Sequence, residues 1–154
     1  MNIKKSLSAL FIILISFVIT ANAQEYSTGI GVRAGDASGI TAKHFIGSAA
    51  AIDGILGFTK DLKSFRITGL YELHVDAFGV SELQWFYGAG AHISTKNNDI
   101  STELGFGIDG VVGLEWIIKE IPFSMSMEVK PALELFNKIE LNPFSAALSI
   151  RYVF

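Results

Sequence analysis

The sequence predicts an all-β chain: an eight-stranded antiparallel up-and-down barrel that crosses a membrane with strands, after an N-terminal signal peptide. Three observations predict it. Apolar residues alternate with small or charged ones, at a period of two, in segment after segment. Beyond residue 23, charged residues such as Asp53, Glu72, Asp109, Glu115 and Lys130 break every apolar run well short of the ~20 residues a spanning helix needs. Aromatic residues of the apolar sets gather near segment ends.

The first segment bears on compartment. Lys4 and Lys5 precede the apolar run Leu7 to Ile19, and Thr20-Ala21-Asn22-Ala23 then leads to Gln24. A basic start, a short apolar run and a small-residue site form a secretory signal peptide over residues 1–23, leaving 24–154 as the barrel domain. Cleavage would leave 131 of the 154 residues, and loss of the two lysines would take the net charge from −3 to −5. Such an acidic chain presents no basic surface for nucleic acid. Without cysteine there is no disulfide framework, no thiolate metal site and no lipidated cysteine.

Each strand follows from its two interleaved sets. Tyr26 to Ala34 sets Arg33 opposite Ile30 and Val32, and Ile40 to Ile46 sets Thr41 and Lys43 opposite Ile40 and Ala42, with His44 on the apolar side. Ala50 to Phe58 places Ile52 and Leu56 against Asp53 and Gly57. In Phe65 to Ala77, Phe65, Ile67, Tyr71, Leu73 and Val75 oppose Arg66, Thr68, Glu72, His74 and Asp76. Leu83 to Ile93 sets Leu83, Trp85, Tyr87 and Ile93 against Gln84, Phe86 and His92. In Leu104 to Ile118 the apolar set opposes Asp109, Glu115 and several glycines. Phe123 to Leu135 separates Met125, Met127 and Val129 from Ser124, Ser126, Glu128, Lys130 and Glu134. Phe144 to Phe154 does the same with Leu148, Ile150 and Tyr152 against Ser149 and Arg151.

Several of these segments exceed the ~5 to 6 residues of a globular strand and approach the ~9 to 11 of a tilted spanning one. A soluble sandwich would bury the apolar face, whereas a membrane barrel turns it to lipid. With the first barrel residue on the periplasmic side, alternate connections become extracellular, including the long polar run Ser94 to Glu103. Phe58, Phe65 and Phe144 then mark one rim, and Trp85, Tyr87, Trp116, Phe123, Tyr152 and Phe154 the other. Closure pairs the last strand with the first and gives Phe144 to Phe154 neighbours on both edges. Pro131 lies inside a strand, where it lacks a donor, so a bulge or an early strand end is expected there.

Eight alternating segments, the girdle aromatics, the signal peptide and Arg151-Tyr152-Val153-Phe154 together resemble the small eight-stranded outer-membrane β-barrels of Gram-negative bacteria, the OmpA- and OmpX-like group with its porin-like fold. The resemblance covers residues 24–154. It implies outer-membrane lipids, including lipopolysaccharide, as surroundings, periplasmic chaperones and the barrel assembly machinery as partners, and Tyr152 and Phe154 as the assembly signal. It specifies architecture far better than activity.

An eight-stranded barrel is filled by its own side chains. Parity sends Arg33, Lys43, Arg66, Lys130 and Arg151 inward with Asp53, Glu72, Asp76, Asp109, Glu115, Glu128 and Glu134, and with His74. These predict a paired charge network closing the lumen, since an unpaired buried charge costs several kcal/mol. The two extra carboxylates leave a narrow cation-preferring pore as an alternative. Glu72, His74 and Asp76 share one face, yet same-face neighbours stand ~7 Å apart along a strand, so salt bridges are favoured over a metal site. His92 and Ser94 resemble the His-x-Ser pair of outer-membrane lipid A deacylases, with Glu103 as the orienting carboxylate. That set is the catalytic alternative to a non-enzymatic protein, although parity turns His92 away from lipid. Gly29-Ile30-Gly31-Val32-Arg33-Ala34 imitates a dinucleotide fingerprint, but no helix follows. The expected protein is a monomer without cofactor or metal, in a structural or surface-interaction role.

Overall fold

The computed structural model describes residues 26–58, 64–98, 101–135, 139–142 and 144–154. The signal-peptide segment 1–23 and most of the expected connection 59–64 lie outside the described residues. Ten strands are present: β1 (Thr28–Gly35), β2 (Ser38–Phe45), β3 (Ala50–Phe58), β4 (Phe65–Ala77), β5 (Val80–Asn98), β6 (Ser101–Ile118), β7 (Phe123–Val129), β8 (Ala132–Glu134), β9 (Glu140–Asn142) and β10 (Ala146–Val153). They pair antiparallel in the order β5-β4-β3-β2-β1-β10-β7-β6, and β6 returns to β5, closing the ring. Along β6, β8 continues the line of β7, and β9 continues that of β10 beside β8. Ten segments therefore build the eight wall strands of an up-and-down barrel.

Register sets its shape. From Ser94, successive partners around the wall are Arg66, Gly57, Gly39, Arg33, Ser149, Ser126, Glu115 and Gln84, so the circuit returns to β5 ten residues from its start. Ten residues at ~3.4 Å against eight strand spacings of ~4.8 Å tilt the strands by about 41°. The circuit one residue away passes Ile93, Ile67, Leu56, Ile40, Val32, Ile150, Met125, Trp116 and Leu83. One spiral is polar or glycine and faces in; its neighbour is wholly apolar and faces out. That contrast is what period-two patterning becomes once the sheet closes.

Pro131 is accommodated by its neighbours. Register along β6 runs unbroken past it, from Val112 opposite Val129 to Asp109 opposite Ala132. Gly110 N donates to the Pro131 carbonyl at 2.9 Å, the return bond is unavailable, and Lys130 N turns to Ser145 O at 2.8 Å. The expected irregularity falls across from the proline: Val129 faces Ala146 while Ala132 faces Asn142, so three steps on one strand meet four on the other.

Two further departures concern β4 to β6. The pairing of β4 with β5 slips between Asp76 and Ala77, because Asp76 faces Gln84 whereas Ala77 faces Val80. Beside the slip, Ala77 is buried and Asp76 is exposed, the reverse of what alternation predicts. The polar run Ser94 to Glu103, expected as a connection, is instead mostly paired: β5 and β6 continue through Asn98 opposite Ser101 as a hairpin projecting past the rim. Polar composition misleads here, since a hairpin clear of any apolar surface has no reason to alternate apolar residues.

Close packing of β1 on β10 explains Gly31, where a Cβ would collide with the Ile150 carbonyl and the Arg151 Cα. Gly31→Ala should therefore destabilise the barrel by about 1 to 3 kcal/mol in urea titration of refolded protein. An unchanged midpoint would show these strands to be more widely spaced.

Candidate functional site

The inward residues of the wall converge on one lumen, and their charges sort into three linked groups. At the end where Tyr26 and Phe154 lie, Arg151 from β10 donates to Asp53 Oδ2 at 2.8 Å, to Ser126 Oγ at 2.9 Å and to Thr41 Oγ1 at 3.2 Å. Lys43 reaches Glu72 Oε2 at 2.8 Å and Glu115 Oε2 at 3.3 Å, with Nζ 4.3 Å from the Phe86 ring centroid. Glu115 also accepts from the Tyr26 hydroxyl at 2.9 Å and Ser124 Oγ at 2.8 Å. His74, stacked on Phe86, lies 3.2 Å from both Glu72 and Gln84 oxygens. Beneath this group Tyr26, Phe45, Ala51 and Ile117 make a small apolar plug.

Halfway along the lumen, Arg33 Nη2 meets Glu128 Oε1 at 2.7 Å. Opposite stand Ile55, Leu70, Phe86 and Val111, a second apolar cluster. Arg33 Nε, Glu128 Oε2 and Ser149 Oγ, all buried, have no hydrogen-bond partner among the described residues. Toward the far end a chain of pairs spans the bore. Arg66 holds Glu134 at 2.7 Å, Glu134 meets His92 Nε2 at 3.0 Å, His92 Nδ1 meets Asp109 Oδ2 at 2.6 Å, and Asp109 Oδ1 accepts from Lys130 at 2.7 Å.

Placement of the expected residues is thus uneven. Arg33, Lys43, Asp53, Glu72, His74, Asp109, Glu115, Glu128, Lys130 and Arg151 are buried in the lumen, and Arg66 and Glu134 are part-buried at its far end. Asp76 is a correction: it lies exposed beside the slip at Ala77, outside the network. With Asp76 gone, the lumen holds six carboxylates against five Lys and Arg among the described residues, an excess of one where two were expected. Tyr26, Thr41, Gln84, Ser124 and Ser126 belong to the network but were not singled out. Their parity already placed all but Tyr26 inward, and only their partners were hidden.

The catalytic alternative is not assembled. Both His92 nitrogens are engaged by Asp109 and Glu134, while Glu103 is exposed and faces Lys96 on the projecting hairpin. Glu72 and His74 bond each other and Asp76 points elsewhere, so that trio does not converge. Among the described residues no three His, Asp or Glu side chains group as metal ligands. The fingerprint-like glycines lie within β1 and serve its pairing.

This architecture defines a class, the closed eight-stranded barrel with an apolar exterior and a charged interior. The crystal structure of the N-terminal β-barrel domain of Pseudomonas aeruginosa OprF has the same fold, with a TM-score of 0.64 and 16% identity, over 82% of this chain and 95% of that one. No family model matches the sequence, and no curated protein matches it.

Arg151 has four hydrogen bonds and stands at the centre of the best-connected group. Arg151→Ala should cost about 3 to 5 kcal/mol in equilibrium urea unfolding, because Asp53 loses its cationic partner while remaining buried. A loss below about 1 kcal/mol would mean that the group does not hold the lumen together.

Proposed function

We propose that the protein is an integral β-barrel of the bacterial outer membrane, exported by a signal peptide over residues 1–23, with a lumen closed by paired charges. Its role is structural or surface-interacting, without catalysis. The carrying observation is the outer wall. Phe58, Phe65, Phe106 and Phe144 ring one end, and Trp85, Trp116, Phe123, Tyr152 and Phe154 the other, all substantially exposed. Phe106 and Trp116 lie ten residues apart on β6, which at a tilt of about 41° is about 26 Å along the axis. An apolar band about 25 Å tall between aromatic girdles is what a bilayer requires of such a wall.

Between the girdles the exposed side chains are mostly Ile, Val, Leu, Met, Ala and Gly, with Tyr71 and, near the girdle of Trp85, His44 as polar exceptions. No soluble role accounts for that surface, since large contiguous apolar patches on soluble proteins are coverings for something. The OprF barrel fold supports the same compartment. On this reading Tyr152 and Phe154 on the last strand present the assembly signal to the barrel assembly machinery after periplasmic chaperones deliver the chain. Lipopolysaccharide and phospholipid surround the wall, and the barrel acts as a monomer. The ion-paired bore and its two apolar clusters favour a closed lumen over the narrow channel.

Two measurements test this. Planar bilayers containing the purified barrel should show no discrete conductance steps, and cation-selective steps would transfer the protein to the channel class. Val112→Arg, outward and near the middle of the band, should cost about 2 to 4 kcal/mol of folding stability in phospholipid vesicles, while Glu120→Arg, beyond the girdle, should be nearly silent. Equal effects would remove lipid from the outer wall.

A further inference from the structure

Among the described residues, a left-handed non-glycine backbone occurs in the turn joining β4 to β5. Phe78 and Gly79 have φ of 56° and 73°, and Ala77 pairs with Val80 across them. A two-residue hairpin turn with both central residues left-handed matches strand twist and is ordinarily filled by Asn-Gly or Gly-Gly. A phenylalanine at its first position is disfavoured because its Cβ crowds the backbone. Strain of this kind persists where something offsets it. Within the protein little does: Phe78 is 81% exposed, the most exposed large hydrophobic residue among those described.

Its ring has a direction, however. The Phe78 centroid lies 6.2 Å from that of Trp85, tilted by 57°. Trp85 is opposite Val75, three residues back along β4, so the ring folds from the turn toward the girdle. Three residues at the strand tilt place the turn about 8 Å beyond Trp85, the depth of the lipid headgroup layer. The surroundings are amphipathic in the same sense. Val80 is exposed beside the ring, while Lys119 bonds Glu82 and Ser81 at the level of the next turn.

We propose that Phe78 is a lipid anchor. Its ring enters the headgroup-to-acyl boundary of the leaflet nearest Phe154, continues the girdle past Trp85, and lipid contact offsets the left-handed backbone. The partner is phospholipid, since the ring leans along the wall already facing acyl chains rather than out into water. This rests on the membrane residence given under Proposed function.

The natural sequence has no cysteine, which makes single-site spin labelling direct. Nitroxide labels at Phe78→Cys, Val112→Cys and Asp36→Cys are compared in phospholipid vesicles for collision with oxygen and with a nickel chelate. Oxygen should dominate at 112 and nickel at 36, with 78 on the oxygen side by severalfold. A nickel-dominated label at 78 beside an oxygen-dominated one at 112 overturns the anchor alone; nickel dominance at both overturns membrane residence as well. A second variant needs no label. Phe78→Asn suits a left-handed residue, so strain alone predicts a more stable barrel, whereas the anchor predicts a folding equilibrium in vesicles weakened by roughly tenfold. A midpoint unchanged or raised by that substitution refutes the proposal.

Discussion

Everything in this barrel depends on backbone hydrogen bonds that close upon themselves. In the bilayer proposed above, unpaired N–H and C=O groups would find no water, so every strand needs a partner on both edges. The pairing of β5 with β6 supplies the last partner, and the ten-residue offset accumulated around the ring fixes tilt and bore together. The places where the ladder gives way are local. Pro131 withholds one donor and is faced by a glycine, and the extra residue is taken up on the neighbouring strand.

Closure creates the second constraint, because the bore is too narrow to be left open and too polar to be packed like a soluble core. The solution is pairing. Each buried cation meets at least one carboxylate, and the two histidines bridge carboxylates that lie near each other. Such networks are high-stakes: complete pairing makes a rigid plug, and loss of one member strands the rest. The apolar clusters at Phe45 and Phe86 fill what the charges do not. Filling is the chemistry the described interior displays.

The two ends differ for the same physical reason. At one, β5 and β6 run on as a projecting hairpin of polar sequence, clear of the other wall strands and of the need to alternate. At the other, short turns hold the chain close to the ring of aromatic residues, and the Phe78 turn carries an unfavourable left-handed backbone with its ring beside Trp85.

Period-two alternation is a local property, so the sequence by itself determined which side chains share a face. Arg33, Lys43, Asp53, Glu72, Glu115 and Arg151 were assigned to the interior without knowing any neighbour, and burial places them there. The same locality set its limits. Asp76 was misplaced because alternation carries no sign of where regular pairing ends, and Asp76 sits exposed at the last regular pair before the slip. The continuation of β5 and β6 past Ser94 was hidden because polar strands pair without an apolar signature. Which charge meets which was decided only by the tertiary structure. Lys43 finds Glu115 across 72 residues and Arg151 finds Asp53 across 98, distances that chain position cannot bridge until closure and shear bring those strands to one bore.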